Sequence, residues 1–385
     1  MKKRRYLLII FMICILYGCN QKETQGEADI VETETTETKQ IVMGNPDAEE
    51  YDFESLGLTV DRRGSGIYPR APYEKRLVGL AYTTWHRLDA TWHSIWSEPA
   101  LGRYDSDDLA VIRKHAEWIY DAGVDFIWID WSNDVTYVHP DMKNERPDFY
   151  MIENSTYIIF EEYSKMENSP DISIFIGCPD APEAARDGRL TAKADQIYND
   201  FVLNEEYNKK LQYYNGKPLL VVYTNTPTVL GVRPRWDDDR FTVRFMTGYP
   251  EQQGMAARDL VSKYNYWSWE DRGAQTFTVD PDTGMPEAMV ICAATRMQAE
   301  PGAAGYIPEI GRRNGITFRE QFARAMEIGV KFAMVGTFNE WTTGEQPSIE
   351  VSKDIEPSEA HGDFYLRLLK EETAKFKGYE KTPLK

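Results

Sequence analysis

Residues 102–133 read GRYDSDDLAVIRKHAEWIYDAGVDFIWIDWSN, and this stretch contains the unit from which the fold follows. Leu109, Ile112, Ala116 and Ile119 recur at spacings of three and four, the period that gathers side chains on one face of a helix. Ser106 or Asp105 stands where the first free N–H groups need an acceptor, so the pattern predicts a helix from about Ser106 to Asp121. Gly123 closes the turn. FIWIDW at 126–131 then forms an apolar run with no wet face, as expected of a strand buried on both sides of a parallel sheet.

The same order of apolar run, polar loop and helical pattern extends in both directions. RLVGLAYTTW at 76–85 is the strand before it. SIFIGC at 173–178, PLLVVYTN at 218–225, RFTVRFMTG at 240–248, KYNYWSW at 263–269, EAMVICAAT at 287–295 and KFAMVGTFNEW at 331–341 follow. Helical patterns are expected near 154–167, 192–212, 317–328 and 364–377, the last packing on the outside. Eight strand-length runs with helix-length connections predict an α/β fold, a single-domain (β/α)8 TIM barrel over residues 70–385 with a C-terminal helix. An open dinucleotide-binding sheet is the rival, and no glycine-rich fingerprint follows the first strand.

The chain before residue 70 reads differently. MKKRRYLLIIFMICILYGC has four basic residues, an apolar run from Tyr6 to Tyr17, and then Gly18-Cys19, the layout of a secretory signal too short for a comfortable membrane span. Residues 1–18 are therefore expected to be a lipoprotein signal peptide, because Leu16-Tyr17-Gly18-Cys19 resembles the lipobox in which the cysteine is acylated. Cys19 is the expected lipidation site, anchoring the chain to a bacterial membrane that faces the periplasm or cell exterior. Residues 19–69 are an acidic flexible tether and lead-in, too poor in large apolar side chains to offset the entropy of ordering.

The formal charge is −18, and it becomes −22 once Lys2, Lys3, Arg4 and Arg5 leave with the signal. So acidic a surface weighs against nucleic acid as a partner. Cys178 and Cys292 lie in apolar runs and read as buried thiols. No cysteine spacing of a metal site is present and the histidines at 86, 93, 115, 139 and 361 are scattered, so neither a metal nor a cofactor is expected.

Function in such a barrel sits at the C-terminal ends of the strands. Four ends are loaded with aromatic and acidic residues. The first contributes Tyr82, Trp85, His86, Trp92 and His93, and the second Asp130 and Trp131. The sixth contributes Trp267, Trp269, Glu270 and Asp271, and the eighth Asn339, Glu340 and Trp341. Indole planes suit the C–H face of a sugar ring, while carboxylates, amides and imidazoles suit its hydroxyl rim, so the expected partner is an oligosaccharide or polysaccharide. Asp130 is placed to orient a hydroxyl or accept a proton, and glycosidic cleavage needs two carboxyl groups in opposite protonation states. His115 on its helix, Trp118 and Trp128 read as structural.

Residues 102–133 and TFNEW at 337–341, with GEQPSIE at 344–350, resemble corresponding segments of glycoside hydrolase families 71 and 99. The resemblance spans roughly residues 76–377 and implies a (β/α)8 fold with endo-acting cleavage of α-linked mannose or glucose polymers. It implies for Glu340 the role of the first of two catalytic glutamates, the base that deprotonates the substrate's own 2-hydroxyl. The second, an acid three residues on, is replaced by Thr343, whose hydroxyl is far too weak an acid. Glu345, Glu270 or Asp271 is then expected to supply the proton, with Glu345 first because Gly344 lets the loop fold back. The alternative is a catalytically silent, lipid-anchored protein that binds glycan on the same barrel.

Overall fold

The computed structural model describes residues 75–88, 91–92, 95–132, 147–178, 184–224, 236–247, 265–270, 275, 277–295, 301–302, 308–341 and 348–378. The expected signal, Cys19 and the tether lie outside these residues, as do His93, Asp271, Thr343 and Glu345.

The architecture is the expected (β/α)8 barrel. Eight parallel strands form its wall: β1 (Leu77–Tyr82), β2 (Phe126–Trp131), β3 (Asp171–Gly177), β5 (Lys217–Tyr223), β6 (Thr242–Thr247), β7 (Trp267–Ser268), β9 (Pro286–Cys292) and β10 (Phe332–Gly336). The sheet runs β7-β6-β5-β3-β2-β1-β10-β9, and two short antiparallel strands, β4 (Tyr213–Tyr214) and β8 (Phe277–Val279), pair with β5 and β9. Between β7 and β9 the described residues form no backbone ladder, and side chains bridge the seam. Asn265 brackets Val279, its amide donating to the carbonyl at 2.6 Å and its oxygen accepting the N–H at 2.8 Å, while the Trp267 indole N–H reaches Glu287 at 2.9 Å.

Strand alternation sorts the wall into two cores. Leu77, Ala81, Phe126, Trp128, Phe175, Phe332 and Met334 fill the barrel. Val78, Leu80, Tyr82, Ile127, Ile129 and Trp131 pack outward under the helices. Both faces are thus buried, which is why the strands read as unbroken apolar runs.

Helix α1 (Leu109–Asp121) starts three residues later than Ser106, with Asp108 as N-cap accepting from Ala110 N–H at 2.8 Å. Its buried face is Val111, Ile112, His115, Ala116 and Ile119, and Leu109 is exposed. Helix α2 spans Pro147–Ser164. The single helix expected near 192–212 is instead α3 (Arg189–Ile197), a π turn over Tyr198–Val202 and a short turn at Glu205–Asn208, because Asn204 caps anew by accepting from Glu206 and Tyr207 N–H. Helices α4 (Ile316–Ile328) and α5 (Phe364–Phe376) match their expected positions. Cys178 and Cys292 are buried thiols.

Candidate active site

The mouth of the barrel is built on the chain that leaves β10. Phe338 N–H still pairs with Ala81 O at 2.8 Å, so the segment continues along β1 past the end of the regular strand. Asn339 then locks to Thr83. Its side-chain oxygen accepts Thr83 N–H at 2.9 Å, its amide donates to Thr83 O at 3.1 Å, and its carbonyl accepts the Thr83 hydroxyl at 2.7 Å. His86 lies 2.7 Å from the same carbonyl through Nε2. A carbonyl can only accept, so Nε2 carries the proton, and burial lowers the pKa of this imidazole and favours its neutral form.

Glu340 follows and is fixed through its backbone. Asp354, fully buried, accepts Glu340 N–H at 2.7 Å and the Thr337 hydroxyl at 2.6 Å on one oxygen, and Trp341 N–H at 2.9 Å and the Trp96 indole at 3.0 Å on the other. Trp341 takes φ 61°, a left-handed conformation that costs a non-glycine residue about 1–3 kcal/mol. The hydrogen bond to Asp354 and one from its indole to Glu356 at 2.6 Å hold it there. Glu356 also receives the Tyr104 hydroxyl at 2.8 Å and faces His115 Nε2 at 3.1 Å.

The Glu340 side chain meets a residue that the sequence reading missed. Lys353 Nζ lies 3.1 Å from Glu340 Oε2 and 3.4 Å from Glu270 Oε2, over the ring of Trp269 at 5.2 Å. Lys353 and Glu270 are 0% exposed and Glu340 is 5% exposed, so the one of the pair that meets the mouth is Glu340. An ammonium touching two carboxylates favours the ionised form of both. That suits a base or nucleophile and opposes an acid. Asp130 reaches the mouth from β2 on the inward side shared with Phe126 and Trp128, and remains 7% exposed. Its Oδ1 accepts Ser132 N–H at 2.7 Å. The turn lies so close to β3 that a Cβ on Gly177 would collide with the Ser132 carbonyl. Burial raises the Asp130 pKa against the opposing hydrogen bonds of Ser132 and the charge of Lys353.

Of the residues expected to hold sugar, many are committed elsewhere. Tyr82 points outward and bonds His115 Nδ1 at 2.9 Å. Trp131 also points outward, its N–H on Thr156 at 2.8 Å and its face against Lys193 at 5.6 Å. Trp267 lies deep inside the barrel against Phe332. His86 stacks on Trp92, whose indole donates to Tyr104 O at 2.6 Å. Asn339 and Trp341 are wholly buried. Trp85 and Trp96 are half-buried, and Trp96 stacks on Trp341 with centroids 4.8 Å apart. The structure thus brings Glu340, Glu270, Asp130 and Trp269 around Lys353, whereas Tyr82, Trp131 and Trp267 pack away from that cluster. Lys353, Asp354 and Glu356 carried no signal beyond a charged tetrapeptide, which reads as a solvated loop.

A surface depression of about 490 Å³ lined by Tyr157, Asn199, Asp200, Leu203, Asn204 and Tyr207 lies in the outer helical layer and shares no residue with the mouth. Among the described residues no cluster of three or more His, Cys, Asp or Glu is placed to hold a metal ion.

No family model and no curated protein matches the chain. Solved structures do. The GH99 endo-alpha-mannosidase from Bacteroides thetaiotaomicron in complex with BIS-TRIS-propane superposes with TM-score 0.53 at 15% identity, covering 79% of this chain and 98% of that one. A second structure of that enzyme gives TM-score 0.49 at 15% identity over 79% and 98% of the two chains. A glycoside hydrolase-like protein gives 0.46 at 16% identity over 81% and 98%. At these identities the likeness is one of fold: the barrel of this chain is similar to that of the GH99 endo-alpha-mannosidase.

Proposed function

We propose that the chain is an extracytoplasmic glycoside hydrolase acting on a polysaccharide or glycan, with Glu340 as the catalytic base. The observation that carries this reading is the Glu340 carboxylate at the barrel mouth, its backbone held by Asp354 and its side chain by an ammonium shared with Glu270. A carboxylate so fixed is oriented before substrate arrives and is kept charged, the two properties required of a base. The resemblance of TFNEW to the family 71 and 99 strand end, with the shared barrel, makes α-linked mannose and glucose polymers the first substrates to try. The basic start, apolar run and Cys19 support a lipid anchor outside the cytoplasm.

The test is a panel of oligosaccharides and polysaccharides assayed for new reducing ends. The wild type is expected to release sugar from at least one, and Glu340→Gln to lose ~10³-fold or more in kcat with its melting temperature preserved. Thr343 at the expected acid position favours a second reading, a glycan-binding protein without turnover. That reading wins if calorimetry detects binding of a glycan from which the intact protein releases nothing.

A further inference from the structure

We propose that Asp130 is the group that protonates the leaving oxygen in the cleavage assigned above to Glu340, an inference that rests on that reading. Four observations converge on it. First, β1 lies between β2 and β10 in the sheet, so the ends carrying Asp130 and Glu340 flank one strand at the mouth, with Asp130 on the inward side of its own strand. Second, access separates the carboxyl groups. Asp130 is 7% exposed, comparable to Glu340 at 5%, whereas Glu270, Asp354 and Glu356 are 0% exposed and cannot meet a sugar.

Third, the partners differ. Glu340 and Glu270 share the Lys353 ammonium, and Asp354 and Glu356 each accept several hydrogen bonds. Asp130 makes no ion pair with the described residues, and its partners there are the Ser132 N–H on Oδ1 at 2.7 Å and the Ser132 hydroxyl. Fourth, its surroundings favour that proton. Asp130 stands opposite Phe175 in the β2–β3 register, and burial raises its pKa. The charge that opposes this among the described residues is that of Lys353, which is already shared by two carboxylates.

The step balances without a further reactant. The glycosidic C–O bond breaks with its electron pair going to the leaving oxygen, which takes the proton from Asp130. Glu340 removes the proton of the attacking hydroxyl or water, whose oxygen bonds to the anomeric carbon. Asp130 is left ionised and Glu340 protonated, and proton exchange with water resets both. The assignment requires the two carboxyl groups to start in opposite protonation states, as paired glycosidase carboxyls do.

The experiment compares two substrates of the same sugar, the oligosaccharide cleaved in the panel and its glycoside of a nitrophenolate, a leaving group that needs no proton. Asp130→Asn is expected to lose ~10²–10⁴-fold in kcat on the oligosaccharide and less than about tenfold on the nitrophenyl glycoside. The alkaline limb of its pH profile should disappear, because activity in the wild type falls as Asp130 loses its proton. Asp130→Glu, which keeps a carboxyl group, should recover part of the oligosaccharide rate and guards against a folding defect in the amide variant. Equal losses on both substrates, or no loss on either, overturn the assignment. A leaving-group-dependent loss in Glu345→Gln or Asp271→Asn with none in Asp130→Asn overturns it in favour of those residues. A wild type that cleaves neither substrate sinks the hydrolase reading itself, and this proposal with it.

Discussion

The two ends of the barrel are built from the same residue types and do different things with them. At the N-terminal end, Arg244 Nε donates to Glu287 at 2.8 Å with Nη2 2.7 Å from the same oxygen, and the Tyr214 hydroxyl lies 2.7 Å from Asp280 and 2.9 Å from Glu287. Trp267 donates to Glu287, and the Asp282 and Thr283 N–H groups and the Thr283 hydroxyl donate to Asp280. Burial alone would raise the Asp280 pKa, but these hydrogen bonds outweigh it and hold the carboxyl below its usual range. At the C-terminal end, Glu340 and Glu270 share the Lys353 ammonium, and Asp130 has no ion-pair partner among the described residues. The lower cluster closes on its own donors around the seam between β7 and β9. The upper one keeps Glu340 and Asp130 slightly exposed at the mouth, which is the condition for meeting a ligand.

Removing each cation tests this contrast. Lys353→Met should remove the ammonium shared by two buried carboxylates, costing about 3–5 kcal/mol of stability, and should also reduce kcat by ~10²-fold or more because the Glu340 side chain loses that contact. Arg244→Met should cost a similar ~3–5 kcal/mol, a fall in melting temperature on the order of 10 °C, while kcat of the folded protein stays unchanged. Calorimetry and assay of both variants check the pair. A Lys353 variant that loses stability alone would make the mouth a second staple and break the contrast.

A smaller effect sharpens it. His86, His115 and His361 all belong to the mouth side, and burial, aided by the Arg312 charge, pushes His361 down to about 3. In the unfolded chain this imidazole titrates near 6.5. Between those values the unfolded state binds a proton that the folded state refuses, so stability falls as pH drops from about 6.5 to 3 and levels off below. His361→Phe, which can still stack on Trp96 and Tyr365, should have a shallower fall in melting temperature across that window. An identical slope in the two proteins would remove His361 as a source of acid sensitivity.

The barrel is legible in the amino-acid sequence because its signals are local. Period and apolar run length identify strands such as FIWIDW to the residue, and a parallel sheet buried on both faces needs no longer-range information. The misses are also local in origin. Asp108 competed successfully with Ser106 for the cap, and Asn204 broke one expected helix into pieces by capping a new turn.

The site divides along the same line. Glu340 and Asp130 are visible as polar residues where apolar strands end, since strand ends are a one-dimensional feature. Which indoles face the mouth is not visible, because a difference of one residue in strand parity sends Trp131 under the helices and Asp130 inward. Lys353 is not visible either. A lysine in a charged segment is ordinarily solvated, and only the fold brings residues 270, 340 and 353 to within one ammonium of each other. Sequence order sets which charges exist, but desolvation and distance decide whether a charge is surface, staple or site, and those are properties of the packed chain.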